Sequence, residues 1–244
     1  MRDRAAYLKA LGVEDWRLRH GRDQRQEQGD DPPPAPELFA AQDPAPACIA
    51  AAAAIPDPDS WEQVAAEVAV CTRCPLHQGR THTVFGVGNR NAHWLIVGEA
   101  PGAEEDRRGE PFVGRAGQLL NSMLRGIGLE REQVFIANVL KCRPPNNRDP
   151  QPAEVAQCLP YLERQIALLR PRIMLAVGRI AAQNLLATDT PIGRLRGHVH
   201  AFGAARTPLV ITYHPAYLLR SPSEKRKAWE DLKFARRVYR ERSA

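Results

Sequence analysis

Residues 94–102 have the sequence Trp94-Leu95-Ile96-Val97-Gly98-Glu99-Ala100-Pro101-Gly102, a short apolar run that leads into a loop rich in glycine and carboxylate. The run has the length and β-branched content of a strand buried on both faces, as in a parallel sheet. Such sheets bind ligands beyond the carboxyl ends of their strands. We therefore predict a buried strand whose end carries part of a functional site.

Three further apolar runs repeat this pattern along the chain. They cover residues 134–137, 173–177 and 209–212, and helical patterns cover roughly residues 115–126, 152–169, 179–186 and 223–239. Four strands that are each followed by a helix imply right-handed crossovers and a sheet covered on both faces. We predict an α/β protein, a three-layer α/β/α fold with a central four-stranded parallel sheet.

Polar side chains stand at the ends of these runs. Glu99 follows the first run, Asn138 closes the second, and His214 lies just after the fourth. A buried amide must find hydrogen-bond partners, and a carboxamide offers both a donor and an acceptor to the edge of a base. We expect these side chains to gather at one edge of the sheet.

The N-terminal part of the chain has a different composition. Residues 1–20 have the pattern of a short amphipathic arm, and residues 21–59 are rich in proline and alanine, which is typical of a disordered linker. Ser60, with Gln63 three residues later, forms a capping-box pattern that predicts a helix start. We therefore expect one compact domain over residues 60–244.

Overall composition limits the class of protein. The chain has 244 residues, of which 43% are hydrophobic and 25% charged, as in ordinary globular proteins. It contains neither a membrane-length apolar run nor a signal-peptide pattern, so we expect a cytoplasmic location. The net charge of +6, concentrated towards the C-terminus, favours a polyanionic partner.

Four cysteines suggest a metal centre. Cys71 and Cys74 are separated by two residues, while Cys142 and Cys158 lie farther along the chain. In a reducing compartment, cysteines spaced in this way favour metal binding over disulfides. The wide spacing fits either a distorted zinc site or a four-iron cubane, and by itself leaves both open.

The loop after the first strand predicts a pocket without a nucleotide cofactor. Its carboxylates, among them Glu99 and Glu105, are suited to positioning a water molecule. The aromatic ring of Phe112 is placed to stack on a flat ligand. The loop lacks the Gly-x-Gly-x-x-Gly fingerprint, and its acids would repel a pyrophosphate.

Taken together, the motifs resemble a family 4 uracil-DNA glycosylase, the iron–sulfur branch of that superfamily. The resemblance covers about residues 60–240 and rests on several separated motifs in the same order, which are Cys71-x2-Cys74, Gly98 to Gly102 with Asp106, Pro111-Phe112-Val113-Gly114, Asn138-x3-Cys142, Cys158 and His214-Pro215-Ala216-Tyr217-Leu218-Leu219-Arg220. It implies a [4Fe-4S] cluster on the four cysteines. It also implies that uracil-containing DNA is the substrate, and we expect a monomer.

The resemblance also implies roles for single residues. Phe112 would stack on a flipped uracil, Asn138 would read the edge of the base, and His214 would donate a hydrogen bond to O2. Glu99 would orient the attacking water and favour the cationic sugar. The product would be free uracil and an abasic site.

Three further assignments concern the walls of the pocket and the DNA. The backbone of Ala100 would line the pocket, and Glu105 would help to exclude the methyl group of thymine. Leu219 and Arg220 would enter the minor groove and meet the phosphates, together with the basic final helix.

Two other functions remain open at this point. The basicity and the cysteines would suffice for a non-catalytic nucleic-acid-binding module with a structural metal. Alternatively, a glycosylase of wider scope would also remove other deaminated bases.

Overall fold

The computed structural model describes residues 60–242. Six strands form one sheet, in the spatial order β1-β3-β2-β4-β6-β5. Their bounds are Val87–Gly88 for β1, Trp94–Gly98 for β2, Phe135–Asn138 for β3, Ile173–Val177 for β4, His200–Phe202 for β5 and Thr207–Thr212 for β6. The four predicted strands are β2, β3, β4 and β6, and each is parallel to its neighbours among them.

The sheet is larger than the predicted four-stranded one. Two short strands, β1 and β5, pair antiparallel with β3 and β6 at the two edges. Both have few apolar residues and are only partly buried or exposed, so the sequence gives little indication of them. The prediction of a central four-stranded parallel sheet is confirmed, with these two edge strands added.

Helices α1 to α8 connect and cover the strands. Their bounds are Trp61–Ala69, Ala103–Arg108, Arg115–Gly126, Pro152–Leu169, Arg179–Leu186, Ile192–Leu195, Pro215–Arg220 and Lys225–Glu241. The side chain of Ser60 accepts a hydrogen bond from the backbone of Gln63, which caps α1 as the sequence predicts. The acidic segment after β2 is the short helix α2, although the sequence pattern suggests a loop.

The helices form layers on both faces of the sheet. On one face, side chains of α1, α4 and α5 join alternate residues of the strands in one apolar cluster, which includes Val68, Leu162, Leu95 and Met174. On the other face α8 packs against β4 and β6. This arrangement is the three-layer α/β/α fold.

Two further predictions concern the N-terminal residues and the absence of membrane-spanning segments. The expected arm of residues 1–20 and linker of residues 21–59 lie outside the described residues. Within residues 60–242, no helix is both long and apolar enough to span a membrane.

Candidate active site

A cavity of about 790 Å³ opens at the carboxyl ends of the parallel strands. It collects most of the predicted site residues, although they come from distant parts of the chain. Its lining includes Glu99, Ala100, Glu105, Phe112, Asn138, His214 and Arg220. Leu219 is not among the lining residues.

Gly98, the last residue of β2, lets two of these side chains approach each other. A β-carbon at Gly98 would lie 2.4 Å from Oδ1 of Asn138 and 2.7 Å from the ring of Phe112. Phe112 has a φ of 55°, an unfavourable backbone conformation for an aromatic residue. Gly117 accommodates this turn, since a β-carbon there would lie 1.7 Å from the carbonyl oxygen of Phe112.

Asn138 presents an unpaired polar atom in the cavity. The residue is 2% exposed, and its Oδ1 has no hydrogen-bond partner among the described residues. Leaving a buried acceptor unpaired costs about 1–3 kcal/mol. A ligand that donates a hydrogen bond to this oxygen would remove that penalty.

His214 caps the first turn of α7 and lies beside Phe112. Its Nδ1 accepts a hydrogen bond from the backbone of Ala216 over 3.1 Å, and its ring centroid lies 5.7 Å from that of Phe112. Burial, helped by the nearby charge of Arg220, lowers the pKa of His214 to about 4. At neutral pH the imidazole is therefore uncharged, and it carries its proton on Nε2.

Glu99 has an environment suited to a general base. Burial, together with the nearby charge of Asp149, raises the pKa of its carboxyl group to about 7, and the charge of Arg179 partly opposes this shift. Arg179 and Asp149 form an ion pair of 2.6 Å between partly exposed side chains. A carboxyl group with a pKa near the working pH is well matched to proton transfer.

Glu105 fixes the loop that carries Phe112. Its Oε1 accepts hydrogen bonds from the backbone of Val113, over 3.0 Å, and of Gly114, over 3.2 Å. The carboxylate therefore holds the residues directly after the strained Phe112. The sequence does not reveal this contact.

The Leu218-Leu219-Arg220 segment is the end of a helix, α7, and its two leucines differ. Leu218 is 1% exposed and belongs to the core, whereas Leu219 is 37% exposed. Arg220 lines the cavity. Tyr217 is also 37% exposed, so Tyr217, Leu219 and Arg220 are the side chains of this helix that are accessible to DNA.

The final helix α8 runs away from the cavity. Near its start, Asp231 accepts a hydrogen bond from Thr212 at the carboxyl end of β6. Near its end, the ring of Tyr239 lies 5.3 Å from that of Trp94, at the amino end of β2. Of the basic final helix, only the first turns therefore lie at the edge of the sheet that carries the cavity.

The four predicted cysteines line a second, much smaller cavity. All four are free thiols, and the sulfurs of Cys142 and Cys158 each accept a hydrogen bond of 3.2 Å, from Arg80 and from the backbone of Lys141. Burial raises the pKa of the Cys158 thiol to about 11. Within residues 60–242, no group of three or more histidine, cysteine or acidic side chains is arranged closely enough to qualify as a metal site.

The donor set nevertheless fits a thiolate-bound metal centre. Four cysteines from three separate parts of the chain line one cavity. Arg80 and Lys141 supply cationic side chains, which favour negatively charged thiolates. Thiolate sulfur is the ligand that both zinc and iron–sulfur clusters prefer.

Several lining residues were not assigned from sequence. They include Arg148, Asp149, Arg179, Tyr213 and Tyr217. Arg179 and Tyr213 each lie within two residues of a strand end, where the sequence indicates site residues, but the sequence assigns them no role. Arg148 and Asp149 belong to an irregular loop, and no local pattern points to them.

The fold and the site define a class of protein, an α/β/α protein with a cavity at the carboxyl ends of its parallel strands that brings together polar side chains and an aromatic ring. Residues 85–233 match the family model described as "Uracil DNA glycosylase superfamily". The chain belongs to this superfamily, and its similarity is to the type-4 branch that the motifs indicated.

Three curated relatives illustrate the match, each named type-4 uracil-DNA glycosylase. The protein from Archaeoglobus fulgidus is 46% identical over 72% of this chain and 91% of its own length. The one from Sulfurisphaera tokodaii is 43% identical over 74% of this chain and 85% of its own length. The one from Pyrobaculum aerophilum is 46% identical over 66% of this chain and 86% of its own length.

Proposed function

We propose that this chain is a uracil-DNA glycosylase of DNA base-excision repair, which hydrolyses the N-glycosidic bond of deoxyuridine in DNA. The observation that carries the proposal is the unpaired Oδ1 of the buried Asn138, beside the ring of Phe112 in the strand-end cavity. Membership of the superfamily and the names of the type-4 relatives support it independently.

Recognition of the base follows from the carboxamide. Oδ1 of Asn138 would accept the N3–H of uracil, and its Nδ2 would donate to O4. Cytosine presents a donor where uracil has O4 and an acceptor at N3, so it would leave buried groups unpaired. A bidentate pair of this kind discriminates by about 1–3 kcal/mol. Phe112 would stack on the ring of the flipped base.

Cleavage would rest on two charge-stabilising groups. The bond between C1′ and N1 breaks, its electron pair leaves with uracil, and the oxygen of water bonds to C1′. The Nε2–H of His214 would stabilise the negative charge that develops at O2, since a preorganised donor costs no reorganisation. The carboxylate of Glu99 would stabilise the cationic sugar and take a proton from the attacking water as its oxygen bonds to C1′, while uracil leaves as an anion that is protonated by solvent.

We assign the cysteine centre as a [4Fe-4S] cluster held by Cys71, Cys74, Cys142 and Cys158. The cavity that all four side chains line supports this, as does the type-4 name of the relatives. When bound, the cluster would act as a covalent tie between the segment after α1, the end of β3 and α4. None of its ligands belongs to the residues that line the larger cavity.

The DNA would be contacted around the mouth of the cavity. The exposed Leu219 would fill the gap left by the flipped base, and Arg220 would meet a phosphate. Ala100 would line the pocket, and Glu105 would hold the wall that excludes the thymine methyl group. A monomeric state, the absence of a nucleotide cofactor and a cytoplasmic location remain predictions.

The decisive experiment is incubation with an oligonucleotide that contains one uracil, followed by alkali to cleave abasic sites. We expect strand cleavage at uracil alone, and none with cytosine or thymine at that position. Asn138→Ala should strongly slow cleavage while leaving a measurable single-turnover rate, and Asn91→Ala, at an exposed position, should not slow it. DNA binding that is independent of uracil and yields no product would instead favour the non-catalytic module, and cleavage at other deaminated bases would favour the wider glycosylase.

A further inference from the structure

Lys141 is a buried lysine between the cysteine centre and the base pocket. It is 2% exposed, and its Nζ donates hydrogen bonds to the backbone oxygen of Asn138, over 2.9 Å, and to Oε1 of Gln165, over 2.6 Å. Lysine is rarely buried so completely without a partner of opposite charge. Among the described residues, no carboxylate lies within salt-bridge distance of this ammonium.

The backbone of Lys141 contacts the cysteine centre directly. Its N–H donates to the sulfur of Cys158 over 3.2 Å, and the next residue is the cysteine Cys142. One residue thus touches the sulfur cavity through its backbone and the pocket residue Asn138 through its side chain.

The second acceptor of the ammonium is itself fixed. Gln165 lies on α4 and is fully buried, and its Nε2 donates to the backbone oxygen of Phe85 over 2.9 Å. Its carboxamide orientation is therefore determined by the protein. The ammonium, held by Gln165, in turn restrains the carbonyl group of Asn138.

Cys158 of the cysteine centre, whose sulfur accepts from the backbone of Lys141, is a candidate to balance this buried charge. A buried ammonium is costly unless it is both hydrogen-bonded and electrostatically compensated. The protein oxygens that accept from Nζ are neutral, so they satisfy only the first condition. Thiolates that ligate a metal would supply the second.

On these grounds we propose that Lys141 is a positioning residue that couples the cysteine centre to Asn138. The proposal rests on the proposed function, in which Asn138 reads uracil. The charge of the ligating thiolates keeps the ammonium in place, and the ammonium fixes the strand end from which the Asn138 side chain projects. Lys141 itself does not contact the base.

The test is a double-mutant cycle on the purified, iron-loaded protein. Lys141→Met keeps the length of the side chain and removes both hydrogen bonds. We expect the single-turnover rate constant for uracil release to fall about 10- to 100-fold, as for other groups that orient a contacting residue. In an Asn138→Ala background the same substitution should cause no further loss, because Lys141 acts through Asn138.

A second readout is the release of iron to a chelator. Lys141→Met should release iron about 10- to 100-fold faster than wild type, whereas Asn138→Ala should not change this rate. Lys233→Met, which removes an exposed lysine, is the matched control and should change neither readout. A merely structural role would lower the amplitude of product formation and leave its rate constant unchanged.

Three results would each overturn the inference. They are additive losses in the double-mutant cycle, an unchanged rate constant for Lys141→Met, and unchanged iron release from Lys141→Met. If Lys141→Met does not fold, Gln165→Met takes its place in the same cycle, with the same expected and contradicting results. Wild-type protein that releases no uracil would overturn the proposed function. Active wild-type protein with an unaffected variant would overturn only the coupling.

Discussion

The backbone N–H of Ala216 donates a hydrogen bond to Nδ1 of His214 over 3.1 Å. This contact determines the tautomer, because an Nδ1 that accepts leaves the proton of the neutral ring on Nε2. Burial lowers the pKa of the ring to about 4, so this neutral tautomer is present throughout the neutral range. At neutral pH, His214 can therefore donate a hydrogen bond from Nε2 while its ring is uncharged.

Replacing His214 by alanine should slow uracil release by about 10²- to 10³-fold, the usual effect of losing one preorganised donor. The half-saturating concentration of DNA should change little, since the hydrogen bond matters most after charge develops at O2. Single-turnover kinetics at saturating DNA measure this effect. A loss below about tenfold would contradict the assigned role.

Glu99 should govern the pH dependence of the reaction. Its carboxyl group, with a pKa raised to about 7 by burial, must be ionised to assist the water. The rate constant should therefore rise about tenfold per pH unit below pH 7 and level off above it. Glu99→Gln should be slow and should lose this slope. A flat profile for the wild type between pH 5.5 and about 8 would exclude Glu99 as the titrating group.

The same group should make the protein less stable at alkaline pH. Because its pKa is raised from 4.5 to about 7 in the folded state, the folded protein retains a proton in this window that the unfolded chain has lost. The free energy of unfolding contributed by Glu99 is thus full below pH 4.5 and is lost as the pH rises through about 7. At pH 8, Glu99→Gln should be more stable than wild type by about 1–3 kcal/mol.

Urea unfolding at two pH values measures that difference. The gain should disappear near pH 4.5, where the carboxyl group is protonated in both states. Glu132→Gln, at an exposed position, should show no such pH-dependent gain. A gain of equal size at both pH values would indicate a cause other than the charge of Glu99.

Gly98→Ala should slow uracil release by displacing side chains that line the pocket. Its methyl group would overlap Oδ1 of Asn138 and the ring of Phe112, so one of the two must move. We expect at least about a 10²-fold loss of the rate constant, since a displacement of about 1 Å has effects of this order. Gly193→Ala is the control, because a β-carbon there meets no atom within 4 Å. Equal activity of both variants would contradict this account of the pocket.

Leu219→Ala should affect duplex DNA more than single strands. The exposed leucine would fill the space left by the flipped nucleotide, and a single strand has no base stack to preserve. The ratio of excision rates on duplex and single-stranded uracil oligonucleotides should fall. Val70→Ala, at a position that is 76% exposed, should leave this ratio unchanged. Loss of activity on both substrates to the same degree would argue against a wedge.

Much of the fold could be predicted because its signals are local. The runs that became β2, β3, β4 and β6 are short, apolar and rich in β-branched residues, and helices follow them. The edge strands β1 and β5 have no such pattern. Each is short and pairs with a single neighbouring strand, and this pairing, not a local run of apolar residues, keeps the segment extended. The helix from Pro215 to Arg220 likewise has no clear signal in the sequence, because its apolar stretch is too short to show a period.

The sequence alone determined the family, the order of the parallel strands along the chain and seven of the residues that line the cavity. These follow from residue types at fixed spacings and from the rule that parallel strands end at one edge. Only the tertiary structure decided that Oδ1 of Asn138 is unpaired, that Glu105 holds the Phe112 loop and that Lys141 links Asn138 to Cys158. These properties depend on burial and on distances between residues far apart in the chain, and no local pattern of side chains encodes either.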